Sequence, residues 1–144
     1  MNSIVREFHL AFGLVAPAYP PLRPDPDLVR LRTRLITEEY KEVIAELGTL
    51  ARQKDPVKIT ENYQRLLKEL ADLRYVVEGA AVSLGLPIEA AYVEVHRSNM
   101  SKLGPDGRPV LRADGKVLKS ANYTEADMDE LVPAIIEYDP EEGT

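Results

Sequence analysis

The sequence predicts an all-α fold: an antiparallel helical bundle whose core is completed by oligomerisation, with a small C-terminal hairpin-like loop. Three observations predict it. Two Asp-Pro pairs, Asp25-Pro26 and Asp55-Pro56, each supply an N-cap followed by a proline at the first helical position. From Tyr63 the apolar residues recur at Leu66, Leu70, Leu73, Val77, Ala80 and Leu84, the three-four alternation of a helix packed along a seam. Finally, 144 residues of 44% hydrophobic content suffice for one domain with a core and are too few for two of ordinary size. The expectation is therefore a single helical domain over residues 1–144, with residues 1–24 a helix and connector and residues 104–123 a candidate substrate loop.

The elements follow in order. "SIVREFHLAF" suits a short helix that Gly13 stops, and "VAPAYPPLRPDPD" holds five prolines, so it reads as an extended connector in which Tyr19 is the residue suited to stacking. The next helix starts at the Asp25 cap and runs through Leu28, Leu31, Leu35, Ile36, Tyr40, Val43, Leu47 and Leu50, with Gly48 expected to loosen it. Asp55-Pro56 restarts the pattern and Gly85 ends it. Pro87 opens a fourth helix through Ile88, Ala91, Tyr92, Val95 and Asn99. Beyond it lie two Asp-Gly turns. Val110 to Lys119 reads as a small hairpin around Asp114-Gly115, Thr124 and Asp127 as the cap of a last short helix, and "DPEEGT" as a frayed end.

A net charge of -6 and a pI near 5.0 argue against nucleic acid as a partner, because such a surface repels phosphate backbones. The chain has no cysteine, no apolar run of membrane-span length and no basic-then-apolar leader. It reads as soluble and cytoplasmic, without disulfides or a membrane partner.

The chemistry concentrates in acids. Glu39 and Glu42 each precede a seam residue, as do Glu69 and Asp72, so each pair lines a flank about 100° from the apolar stripe. The connector is short, which favours antiparallel packing, and an antiparallel pair brings both flanks to one side. Four carboxylates in a half-buried groove repel unless a cation is present or their pKa values rise. Oxygen-only ligands suit Mg²⁺, with Mn²⁺ as a substitute. A di-iron bundle would need Glu-x-x-His on two helices, and neither His9 nor His96 has a glutamate three residues before it. The plain alternative is a Glu-rich face that is merely solvated, which makes the chain a non-catalytic acidic helical interaction module.

Glu39-x-x-Glu42, twenty-six residues, then Glu69-x-x-Asp72 resembles the metal-binding signature of the MazG-like all-α nucleoside triphosphate pyrophosphohydrolases, a group that includes dUTPase-like and phosphoribosyl-ATP pyrophosphohydrolase-like enzymes. "EVHRSNMSKLGPDGRPVLRADGKVLKSANY" is similar to the Asn, Lys and Asp-Gly-Lys stretch that follows the metal helices in a subset of them. The resemblance covers about Asp25 to Tyr123. It implies hydrolysis of a nucleoside triphosphate between the α and β phosphates to the monophosphate and pyrophosphate, with Mg²⁺ held by Glu39, Glu42, Glu69 and Asp72. Glu38 matches an extra acid that some members use for a further metal or to activate water, and it is the candidate catalytic residue. Asn99, Lys102, Lys116 and Lys119 would bind the anionic substrate. The tail matches the deoxyuridine-nucleotide subset best, so dUTP is the first expected substrate. The open side of the Tyr63 to Leu84 seam calls for a second copy, giving a homodimer or homotetramer.

Overall fold

The structure, a computed structural model, describes residues 3–132. Its elements are α1 (Ile4–Ala11), α2 (Pro26–Arg52), α3 (Pro56–Ser83) and α4 (Ile88–Met100), with no strand among the described residues. The chain forms two compact units, Met1–Leu86 and Pro87–Thr144. The frayed end expected at "DPEEGT" lies outside the described residues.

In the first unit, α2 and α3 start as expected. The Asp25 side chain accepts from the Asp27 amide and Asp55 from the Val57 amide, each with proline at the first helical position. Three residues separate the two helices, and their side chains meet in reversed order, Glu46 with Arg65 near the connector and Glu39 with Glu69 and Asp72 farther along. The pair is antiparallel. Gly48 does not loosen α2, which continues unbroken to Arg52. A helical glycine costs about 1 kcal/mol against alanine, too little to break a helix of 27 residues supported along its length by a partner.

α3 ends in a Schellman turn, in which the Leu86 amide donates to Ala81 O at 2.9 Å and the Gly85 amide to Val82 O at 3.3 Å. Gly85 has φ +66°, and a Cβ there would stand 2.4 Å from the Tyr19 carbonyl, so glycine is required both by the turn and by the connector lying against it. The proline-rich segment is irregular, as expected, and α1 ties it down. Arg6 donates to Ala16 O at 2.9 Å, and buried His9 donates from Nδ1 to Val15 O at 2.9 Å, since a carbonyl can only accept. α1 also packs on α3, with Phe8 edge-on to Tyr75 at 5.8 Å between ring centres.

The register of the α2–α3 interface differs from the expectation. The shielded line runs through Leu35, Glu39, Val43 and Glu46 on α2 and through Asn62, Leu66, Glu69 and Leu73 on α3. Glu39 and Glu69 therefore lie in the packed line itself rather than on a flank. The apolar residues rotated out of it remain exposed, Tyr40 at 54% and Tyr63 at 59%, together with Ile44, Leu47, Leu67 and Leu70.

The second unit is α4 and the turns that follow. Gly107 (φ 73°) and Gly115 (φ 85°) occupy the two Asp-Gly turns with the left-handed conformation those turns need. The expected hairpin forms without becoming strands. Leu118 N–H donates to Val110 O at 2.7 Å and Arg112 N–H to Lys116 O at 2.8 Å, around an isolated bridge between Leu111 and Val117. The chain then returns along α4, where Ser98 donates to Thr124 O at 2.9 Å and Arg97 to Thr124 Oγ1 at 2.6 Å and Glu125 O at 2.8 Å. Instead of a helix at Thr124, the described residues hold a turn at 128–132, with Asp127 accepting from the Asp129 amide. Thr124 is not its cap, because its hydroxyl is engaged by Arg97.

Candidate metal centre on the second and third helices

α2 contributes Glu39 and α3 contributes Glu69 and Asp72, three residues apart and so on one face. One carboxylate oxygen from each lies within 4.8 Å of the others. All three are half-buried, and Glu69 is the more enclosed of the α3 pair, its side chain 13% exposed against 43% for Asp72. Glu39 Oε2 is buried and has no hydrogen-bond partner. A carboxylate oxygen withdrawn from water without a donor is costly, and here its neighbours are other carboxylates.

Glu42 stands at the mouth of this group, exposed. Its pKa is raised above the usual carboxylate range by a shared hydrogen bond with Glu69, then by the charges of Glu69 and Glu39, with Lys68 opposing. Lys68 is the cation that the sequence reading missed. Its Nζ donates to Asp72 Oδ2 at 2.7 Å and to both Glu69 oxygens at 3.2 Å, and its own pKa is raised by these bonds. The signal was present as a Lys-Asp pair four residues apart, which on most helices is only a solvated ion pair.

Of the expected site residues, the structure brings Glu39, Glu69 and Asp72 together with Glu42 beside them. Glu38 stands outside the three-carboxylate group, exposed and 4.0 Å from Arg34. In the second unit Lys102 donates to Asn99 Oδ1 at 2.7 Å, so those two form one polar patch at the end of α4. Lys119 lies over the Tyr123 ring at 4.2 Å and is 3.7 Å from Glu125. Lys116 is exposed on the second turn, its amide donating to Asp114 Oδ1 at 3.2 Å. Arg97, which fastens residues 124–125 to α4, was also not anticipated.

The donors fit a hard divalent cation. They are all oxygens, they come from two packed helices, and Glu39, one of the three residues, carries a buried carboxylate oxygen without a partner. The phosphoribosyl-ATP pyrophosphohydrolase family matches residues 5–99, more than half of the chain. The chain belongs to this family. The family lies within the MazG-like all-α superfamily, consists of pyrophosphohydrolases of nucleotide phosphates, and is typically dependent on a divalent metal. No curated protein matches the chain significantly. No single helix among the described residues is long and apolar enough to cross a membrane.

Proposed function

We propose that this protein is a Mg²⁺-dependent pyrophosphohydrolase that cleaves a nucleoside triphosphate between the α and β phosphates, releasing the monophosphate and pyrophosphate. The observation that carries this reading is the convergence of Glu39, Glu69 and Asp72, with the buried Glu39 Oε2 lacking any donor. A solvated acidic face would not bury that oxygen among like charges.

Glu39, Glu69 and Asp72 would hold the metal, with Glu42 as the fourth ligand at the mouth. When bound, Mg²⁺ would neutralise phosphate charge and acidify water near the scissile bond. The protein's own groups orient and move protons. Helices α2 and α3 fix the carboxylates, so little reorganisation is needed as charge develops. A water proton goes to Glu38 or to one of the ligand carboxylates. By the family resemblance Asn99, Lys102, Lys116 and Lys119 are the candidate substrate-binding residues, with donors and positive charge suited to phosphate oxygens.

The substrate follows from two different observations. The Asn99 to Tyr123 tail favours dUTP, whereas the description of the matching family favours phosphoribosyl-ATP, cleaved at the equivalent bond. Pyrophosphate release measured with Mg²⁺ on dUTP, dCTP, dTTP, the purine triphosphates and phosphoribosyl-ATP decides between them. Equal rates on all the triphosphates reject selectivity for dUTP. No release from any nucleotide rejects the enzyme in favour of an acidic interaction module.

The active form is a homodimer or homotetramer. Tyr40, Ile44 and Leu47 on α2 and Tyr63, Leu67 and Leu70 on α3 are all exposed apolar side chains, and a second copy would cover them. A monomer by light scattering at micromolar concentration overturns this.

A further inference from the structure

Lys68 touches two of the three carboxylates assigned above to the metal. Its Nζ is 2.7 Å from Asp72 Oδ2 and 3.2 Å from each Glu69 oxygen, while its side chain is 64% exposed. The ammonium thus reaches into the carboxylates from the solvent side, on a stem that can swing away. Two other cations along these helices are engaged elsewhere, Arg34 with Glu38 and Arg65 with Glu46.

A cation bound by Asp72 and Glu69 uses the same oxygens that Lys68 uses. Mg²⁺ sits about 2.0–2.1 Å from its ligand oxygens, so an ammonium on those oxygens would lie within a few ångströms of a divalent charge. The two cannot share the site. Lysine is a compact, strongly hydrated charge on a flexible chain, and an exposed ion pair of this kind is weak, so the lysine is the partner that leaves.

We infer that Lys68 is a displaceable internal counter-ion, which holds Glu69 and Asp72 together before metal binds and is exchanged for the divalent cation when it does. The inference rests on the metal-site reading above. Lys68 then sets the metal affinity: every binding event must break its contacts, and it damps the carboxylate repulsion that would otherwise splay the groove.

The test is titration of Mn²⁺ into the full chain without nucleotide, by calorimetry and by thermal melting, for the wild type, Lys68→Gln and Lys68→Arg. Lys68→Gln should lower the Kd by about three- to tenfold, melt at a lower temperature without metal and show a larger upward shift with it. Lys68→Arg, whose planar fork holds carboxylates more firmly, should bind Mn²⁺ no more tightly than the wild type. In the wild type itself, Mg²⁺ should move the side-chain NMR resonances of Lys68 in a saturable way, a measurement independent of how well either variant folds. A Lys68→Gln Kd equal to or above that of the wild type, or Lys68 resonances unmoved at saturating Mg²⁺, overturns the inference while leaving the metal site intact. A wild type that binds neither ion overturns the metal site and the inference together.

Discussion

Glu42 on α2 and Glu94 on α4 are both helical glutamates near the surface, and their surroundings drive them in opposite directions. Glu94 accepts two hydrogen bonds from Arg97, at 2.8 and 2.7 Å, and one from the Asp127 amide at 2.8 Å, which together bring its pKa down to about 2. Glu42 has carboxylates for neighbours and is pushed up. Glu46 and Glu78 resemble Glu94, being paired with Arg65 at 3.4 Å and Arg74 at 2.7 Å. The lesson is that an acid-rich sequence does not make an acidic site. Glu46, Glu78 and Glu94 each have an arginine of their own, whereas Glu42 has other carboxylates for neighbours.

The sharpest way to break the comparison is to remove one clustered charge. Asp72→Asn keeps nearly the same shape, and pyrophosphate release should fall by about 100-fold or more. The same variant should be as stable as the wild type or more so without metal, and its Mg²⁺-induced melting shift should shrink, because binding to the native state stabilises by mass action. Full activity with an unchanged shift would return Asp72 to the class of solvated acids.

Next in size is Arg74→Met. Glu78 is buried and accepts from Arg74 at 2.7 Å, so removing the arginine should lower stability by about 1–3 kcal/mol in denaturant titration while the Mg²⁺ shift is retained. A loss of metal response in this variant would mean that paired and clustered acids are not separable. Glu46→Gln is milder, since Arg65 is half exposed: about 0.2–1 kcal/mol, again with metal binding intact.

The smallest effects are in pH dependence, and they should have opposite signs. The folded pKa of Glu94 lies below its ordinary value of 4.5, so its contribution is complete above that value and is lost as pH falls through about 2. The Asp127 amide resonance should titrate with that low midpoint, and a midpoint near 4.5 would contradict the bonding described. The folded pKa of Glu42 is raised, so its term works against the metal-free protein as pH climbs above 4.5 through the raised value. Glu42→Gln should flatten that decline in melting temperature, and an unaltered profile would remove Glu42 from the cluster.

Local chemistry made much of this legible in advance. Asp25-Pro26 and Asp55-Pro56 specify helix starts because cap and proline act within one turn, and Gly85 specifies a stop because only a residue tolerant of positive φ completes the turn there. The spacing of Glu39, Glu69 and Asp72 was equally readable, since helical periodicity puts matched pairs on matched faces. Gly48 was misread because a single residue's propensity is small beside the cooperativity of a long packed helix.

Sequence by itself thus determined α1 to α4, their order, the aspartate caps of α2 and α3, and the acids that converge. Tertiary structure decided the rotation of α2 against α3, which places Glu39 and Glu69 in the shielded line and leaves Tyr40 and Tyr63 outside it. Periodicity names a helix face but does not choose which of two neighbouring stripes meets the partner. That choice depends on the summed packing of both helices and on which charges find a partner. Tertiary structure also decided the long-range partners of the cations, setting Arg65 against Glu46 and Arg97 against Thr124 and Glu125, because a long charged side chain reaches several neighbours and only the fold selects among them.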